Sequence, residues 1–318
     1  MVSEFEFIEN IKAKYLLDKI GDDCAVLPKD TKTDLLLTAD MLVEDIDFRL
    51  DWTTPEFLGH KALAVSLSDI AAMGGEPKWA MLSIGIPEHL WKTDFLDQFY
   101  IGFMALAVEF GVELVGGDVS RSPDKIVIDS IVGGEVAKGN AIFRSGATVG
   151  DAIFVTGSLG GATGALKMLA NGVKLDETTP ESVRNLLLRQ LQPQPKLHTA
   201  KLLNTLDIAN AMIDISDGLS SDLTHLCHAS GVGARINADQ MPIDPSLAAQ
   251  FPTNECLQIA LNGGEDFELL FTANEKKISD ANIDGISRIG DITANEGKIE
   301  LIRDDRPLIL EPKGYRHF

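Results

Sequence analysis

The sequence is poor in cysteine, poor in basic residues, and free of long apolar runs. Its three cysteines, Cys24, Cys227 and Cys256, form no C-x-x-C. That argues against a disulfide scaffold or a thiolate zinc site and favours a reducing compartment. No apolar stretch approaches the roughly 18 residues of a membrane helix. The opening MVSEFEFIENIKAKYLL carries acids early and has no unbroken apolar core, so it does not read as a secretory signal. It reads instead as an amphipathic helix with Phe5, Ile8, Ile11, Tyr15 and Leu16 near one face. We therefore expect a cytoplasmic protein with no membrane attachment. Lys and Arg number 28 against 48 Asp and Glu, a net charge of −20. A surface this acidic repels nucleic acid and anionic lipid.

Familiar signatures are missing as well. There is no G-x-x-x-x-G-K-[ST], no G-x-G-x-x-G and no protein-kinase set of H-R-D and D-F-G. Neither H-E-x-x-H nor G-x-S-x-G occurs. The six histidines fall in no ligand spacing, and His225 with His228 reads as a helix surface.

Among the features present, residues 61–75, KALAVSLSDIAAMGG, stand out. The run has no proline and few β-branched residues, and Gly74-Gly75 follows its last apolar position. It predicts a buried helix with a glycine stop. Asp69 is its only acid, and an ionised carboxylate there is costly unless paired or bound to metal. Around it the first half alternates strands and helices. Strands are expected at 24–27, 35–40, 79–86, 112–115 and 126–132, with a helix over 90–110. The glycine-rich stretch 137–151 marks a boundary. Beyond it come a strand at 152–156, a helix after Gly157–Gly164, a stiff turn at 192–196, a strand at 212–215, a helix ending before Gly231, and a strand at 267–271. This is an α/β chain, or α+β, in two domains.

One device recurs, an acid at a strand end or beside a glycine pair. It occurs at Asp22 and Asp23, Asp40, Asp118, Asp214 and Asp217, and Glu265 and Asp266. Such acids converge where α/β proteins bind ligands. Carboxylates without matching His or Cys suit a hard cation such as Mg²⁺, and Mg²⁺ suits phosphates. Two readings of Gly157–Gly164 stay open at this point, a backbone cradle for phosphate at a helix start or a tight turn. Arg144 reads either as a phosphate partner or as a solvated linker charge.

With these residues in place, the chain resembles the thiamine-monophosphate kinases. These belong to the fold family of aminoimidazole ribonucleotide synthetase and selenophosphate synthetase. The matching pieces are GDDCAVL (21–27), TAD (38–40), KALAVSLSDIAAMGG (61–75), LVGGDVSRS (114–122), FRSGATVGD (143–151), ISDGLSSDL (215–223), NGGEDFELLF (262–271) and KGYRHF (313–318), in order along nearly the whole chain. The resemblance implies an N-terminal ATP- and Mg²⁺-binding, dimerising domain over 1–140. It implies a C-terminal α/β domain over 141–318, with the site in the cleft between them. It implies a homodimer that transfers the γ-phosphate of ATP directly to thiamine monophosphate, using several Mg²⁺ ions and no catalytic side chain. Asp23, Thr38, Asp40, Asp69, Asp118, Asp214 and Asp217 resemble the metal ligands. Tyr100, Gly117, Asp118, Arg144 and Ser216 resemble the ATP contacts, and Glu265 and Tyr315 the contacts to thiamine.

Two positions depart from the family pattern. Asp47, in Val43-Glu44-Asp45-Ile46-Asp47-Phe48, stands where a substrate-contacting histidine is usual. Val119-Ser120 replaces the usual pair of threonines after Asp118. Two alternatives compete. A selenophosphate-synthetase-like enzyme would need a reactive cysteine near the N-terminus, where Cys24 sits in a buried small-residue position instead. A non-catalytic acidic metal-binding module would be expected to gather its acids in one loop, whereas these run from Asp23 to Asp266.

Overall fold

The computed structural model describes residues 4–315. The last three residues of KGYRHF and the side chain of Phe5 lie outside the described set. Two mixed sheets use separate stretches of chain. The first has five strands, β1 (Ala25–Pro28), β2 (Thr33–Val43), β3 (Glu76–Pro87), β4 (Glu113–Ser122) and β5 (Val127–Ala137). Their order is β1-β2-β5-β3-β4, and only β3 and β4 run parallel. The second contains β6 (Ala152–Thr156), β7 (Ala209–Asp214), β8 (Gly233–Asn237), β9 (Leu269–Ala273), β10 (Ile286–Thr293), β11 (Ile299–Arg303) and β12 (Arg306–Ile309). Its order is β12-β11-β8-β10-β6-β9-β7.

The expected buried helix is α2 (Pro55–Ala72), after an N-terminal α1 (Glu4–Tyr15). Thr54 caps α2 by accepting from the Phe57 N–H, and Pro55 occupies its first turn, where a missing N–H costs nothing. Gly74 ends it at φ 67°, a left-handed conformation that glycine adopts without a Cβ penalty. On one side α2 packs against β2, β5 and α4 (Phe95–Phe110); on the other it meets β7, α6 (Glu181–Leu191) and α7 (Leu197–Thr205). One apolar core therefore crosses both halves. It contains Leu63, Leu67 and Ile70 of α2 together with Phe154 and Phe271 of the second sheet, whose rings stack 5.4 Å apart.

The open face of the first sheet carries Met41 and Met81, 60% and 39% exposed. No described helix is long and apolar enough to cross a membrane.

Three local expectations change. The helix over 90–110 is broken into α3 (Glu88–Trp91) and α4, with Thr93 bonding the Leu90 carbonyl and the Phe95 N–H between them. The strand placed at 112–115 runs on through Gly116-Gly117-Asp118 to Ser122, because an exposed edge strand tolerates glycine and acid where a central one does not. Tyr15 and Leu16, assigned to the apolar face of α1, are 61% and 89% exposed.

Contact between α2 and α4 depends on two glycines. A Cβ on Gly59 would lie 1.9 Å from the Phe99 carbonyl oxygen, and one on Gly102 would lie 1.8 Å from that of Glu56. We expect Gly59→Ala and Gly102→Ala each to cost about 1–3 kcal/mol or more. Urea midpoints measure this, and a midpoint within error of wild type would refute it.

Candidate active site

Asp69 is the one position from Leu58 to Ala72 that is not buried. It faces the cleft between the two halves. Carboxylate oxygens of Asp23, Asp69 and Asp214 lie within 4.8 Å of one another. They come from the loop before β1, the last turn of α2 and the end of β7. Thr38 on β2 donates to Asp69. Ser68 donates to Asp214 at 2.6 Å. Arg144 pairs with Asp23, its Nε at 3.2 Å, and its main-chain N–H donates to Asp22.

Like charges this close disturb their own ionisation. Burial, then the charge of Asp23, pushes Asp214 up to about 7. Burial, then Asp129 and Asp23, pushes Asp40 up to about 6. Burial, then Asp40, Asp214 and Asp23, lifts Asp69 well above the carboxylate range. Asp23 Oδ2 and Asp40 Oδ2 are buried and have no hydrogen-bond partner among the described residues. Unpartnered buried carboxylate oxygens beside a cluster of others form a donor set that fits a hard divalent cation.

Other expected residues gather elsewhere. Tyr100, Gly117 and Asp118 line a cleft of about 470 Å³ beside the edge strand β4. Strand pairing puts Asp118 in one row with Ser83, Asp129 and Met41, while Asp40 shares the next row with Ser130, Leu82 and Gly117. Adjacent rows face opposite sides of a sheet. Asp118 therefore sits apart from the Asp23, Asp69 and Asp214 group, three strands along from β2.

At the other end, burial and then the charges of Asp47, Glu265 and Asp217 raise the Tyr315 hydroxyl, which places these four together. The Tyr315 N–H donates to the Asp217 carbonyl and the Glu265 N–H to that of Ser216. Asp47 closes its own turn, its carboxylate accepting from the Val43 N–H at 2.8 Å.

Of the two readings of Gly157–Gly164, the structure supports the tight turn: the glycine-rich start of α5 (Gly161–Ala170) holds no open phosphate cradle. Asp266 accepts from the N–H groups of Gly160 and Ala162, and Leu159 donates to Pro242. The protein's own carboxylate fills the place, so Asp266 is a structural acid and not part of the cleft device. Lys61 and Gln190 were missed by sequence reasoning. Lys61 is 4% exposed, ion-paired to Glu265 at 2.6 Å, and Gln190 donates to the other oxygen of Glu265. A second charge in an apolar helix was the signal for Lys61.

Family models place this architecture. The AIR synthase related protein N-terminal domain matches residues 21–150, and the corresponding C-terminal domain matches residues 148–299. The fold is therefore that of the AIR synthase related proteins. Thiamine-monophosphate kinase of Salmonella typhimurium is 38% identical over 307 residues, 94% of this chain and 91% of that protein. The Bacillus subtilis enzyme of the same name is 34% identical over the full length of both. A solved structure described as AaThiL complexed with AMPPCP and TMP superposes at a TM-score of 0.88, with 34% identity over 100% of this chain and 97% of that one. The chain belongs to the thiamine-monophosphate kinase family.

The raised carboxyls carry a signed consequence. A carboxyl whose value rises from 3.8 to about 6 or 7 on folding stabilises the fold fully below 3.8. That contribution is lost as the pH climbs through 6 to 7. The melting temperature of chelator-treated protein should therefore fall between pH 5 and pH 8, and Asp69→Asn should make that fall smaller. An equal fall in the variant would show that Asp69 contributes nothing to it.

Proposed function

We propose that this protein transfers the γ-phosphate of ATP onto thiamine monophosphate, releasing ADP and thiamine diphosphate. The observation that carries this reading is the convergence of Asp23, Asp69 and Asp214 from both halves of a chain in this family. Asp23, Thr38, Asp40, Asp69 and Asp214 would hold Mg²⁺ ions, with Asp118 and Asp217 serving further ones. Bound there, Mg²⁺ would offset the negative charge that accumulates where two phosphate groups meet.

The chain's own groups do the rest. Tyr100, Gly117, Asp118, Arg144 and Ser216 hold the nucleotide. Glu265 and Tyr315 hold the thiamine end beside Asp47. Asp47 accepts from the Val43 N–H within its own turn, and a carboxylate donates no hydrogen bond to a phosphate group as a histidine would. The attacking phosphate oxygen is already ionised at neutral pH, so no general base is required. Positioning both substrates together suffices for direct in-line transfer. The uncovered face around Met41 and Met81 supports a homodimer, and the reducing compartment implied by three buried free cysteines supports a cytoplasmic setting.

Three measurements test this. Asp69→Asn should lower turnover by about 10²–10³-fold or more while the protein remains folded; near-normal turnover would refute the metal role. Activity should keep rising as Mg²⁺ exceeds ATP, whereas saturation at one equivalent would mark most of the acids as structural. Initial rates with both substrates varied should give intersecting lines. Parallel lines, or label from γ-labelled ATP retained covalently on the protein and then passed to thiamine monophosphate, would refute direct transfer.

A further inference from the structure

Helix α2 carries two internal charges. Asp69 opens onto the carboxylate cluster. Lys61, eight residues earlier, lies about 12 Å back along the axis. Its side chain is 5% exposed, and Nζ sits 2.6 Å from Glu265 Oε1. A buried ammonium is tolerated only when paired, and Glu265 supplies that pair from the opposite half of the molecule. Nζ also lies 3.4 Å from the Asp47 carbonyl oxygen.

Glu265 is held on its other side as well. Gln190, at the end of α6 and 6% exposed, donates from Nε2 to Glu265 Oε2. A carboxylate only accepts, so this contact fixes the amide with its nitrogen toward Glu265. The main chain at Glu265 is itself unusual, at φ 64°. Such a conformation persists in a non-glycine residue when the surroundings over-determine it. Here the constraints come from two helices, one in each half, and from the Ser216 carbonyl.

We propose that Lys61 and Gln190 are positioning residues for Glu265, clamping its carboxylate so that it is aimed at the cationic ring of the acceptor. This rests on the proposed function, in which Glu265 contacts the thiamine end. Two of the roughly four lone-pair directions of the carboxylate are taken by the clamp. The others remain for substrate. A purely packing role for Lys61 would leave the aim of Glu265 without consequence for one substrate over the other.

Steady-state kinetics on the full-length enzyme test this, with thiamine monophosphate and ATP each varied. Lys61→Met, which fills the same buried shape, should raise KM for thiamine monophosphate about tenfold. It should leave kcat within about twofold and KM for ATP unchanged. Lys61→Arg, which keeps the pair, should recover most of the loss. The Lys61→Met/Glu265→Gln double variant should be no worse than Glu265→Gln alone, since a clamp has nothing to hold once the carboxylate is gone. Multiplying losses, or a loss in kcat with KM unmoved, would overturn the proposal. Should Lys61→Met not fold, Gln190→Met with Glu265→Gln completes the same cycle, and the same outcomes support or overturn the clamp. A raised KM in Glu265→Gln beside a wild-type KM in Lys61→Met would overturn the clamp alone. A wild-type KM in Glu265→Gln would overturn the assignment of Glu265 to substrate, and the clamp with it.

Discussion

Burial of several carboxylates against one another is the constraint on which the rest of this structure depends. Asp23, Asp69 and Asp214 are brought within 4.8 Å by three elements from two halves of the chain, and nothing about isolated acids favours that meeting. Hydrophobic burial enforces it. Helix α2 is packed on nearly every side, so Asp69 has no freedom to retreat, and β7 ends where Asp214 must face it. The fold thereby holds acids together that their own burial would keep apart. This is a common relation between stability and function, in which the scaffold offsets the cost of its own active centre.

Much of this was legible in the residues, and the exceptions have physical causes. Asp69 could be read because one acid in an apolar helix demands a partner. Lys61 obeys the same argument from the same helix, but its long stem allows a lysine to bury carbon while exposing charge, so the demand is weaker in sequence. Here the head is buried too. Gly157–Gly164 misleads because a run of amides announces an acceptor without saying which one. Asp266, about a hundred residues later, supplies it from inside the protein. The strand through Gly116-Gly117-Asp118 looks shorter in sequence than it is because glycine and acid read as a turn, a rule that fails at the edge of a sheet. The tightest steric constraint, Gly59 against the Phe99 carbonyl and Gly102 against that of Glu56, left no local signal, since close approach of two backbones is a property of the pair.

The separation between the acid cluster and the cleft beside β4 gives the site its layout. Asp40 and Asp118 point to opposite faces of one sheet, so the residues expected to hold nucleotide are spread around an edge and not collected in one loop. A nucleotide site spread in that way would leave no compact motif in the chain, in contrast to folds that use a single glycine-rich loop.

The core that runs through both halves has one more consequence. Leu63, Leu67 and Ile70 are as much a part of the packing around Phe154 and Phe271 as of the first sheet. Swinging the halves apart would strip apolar surface from both sides of a single helix, at a cost no substrate contact could easily offset. The two halves are therefore joined through that one helix, and a change in its packing on either side is felt by both.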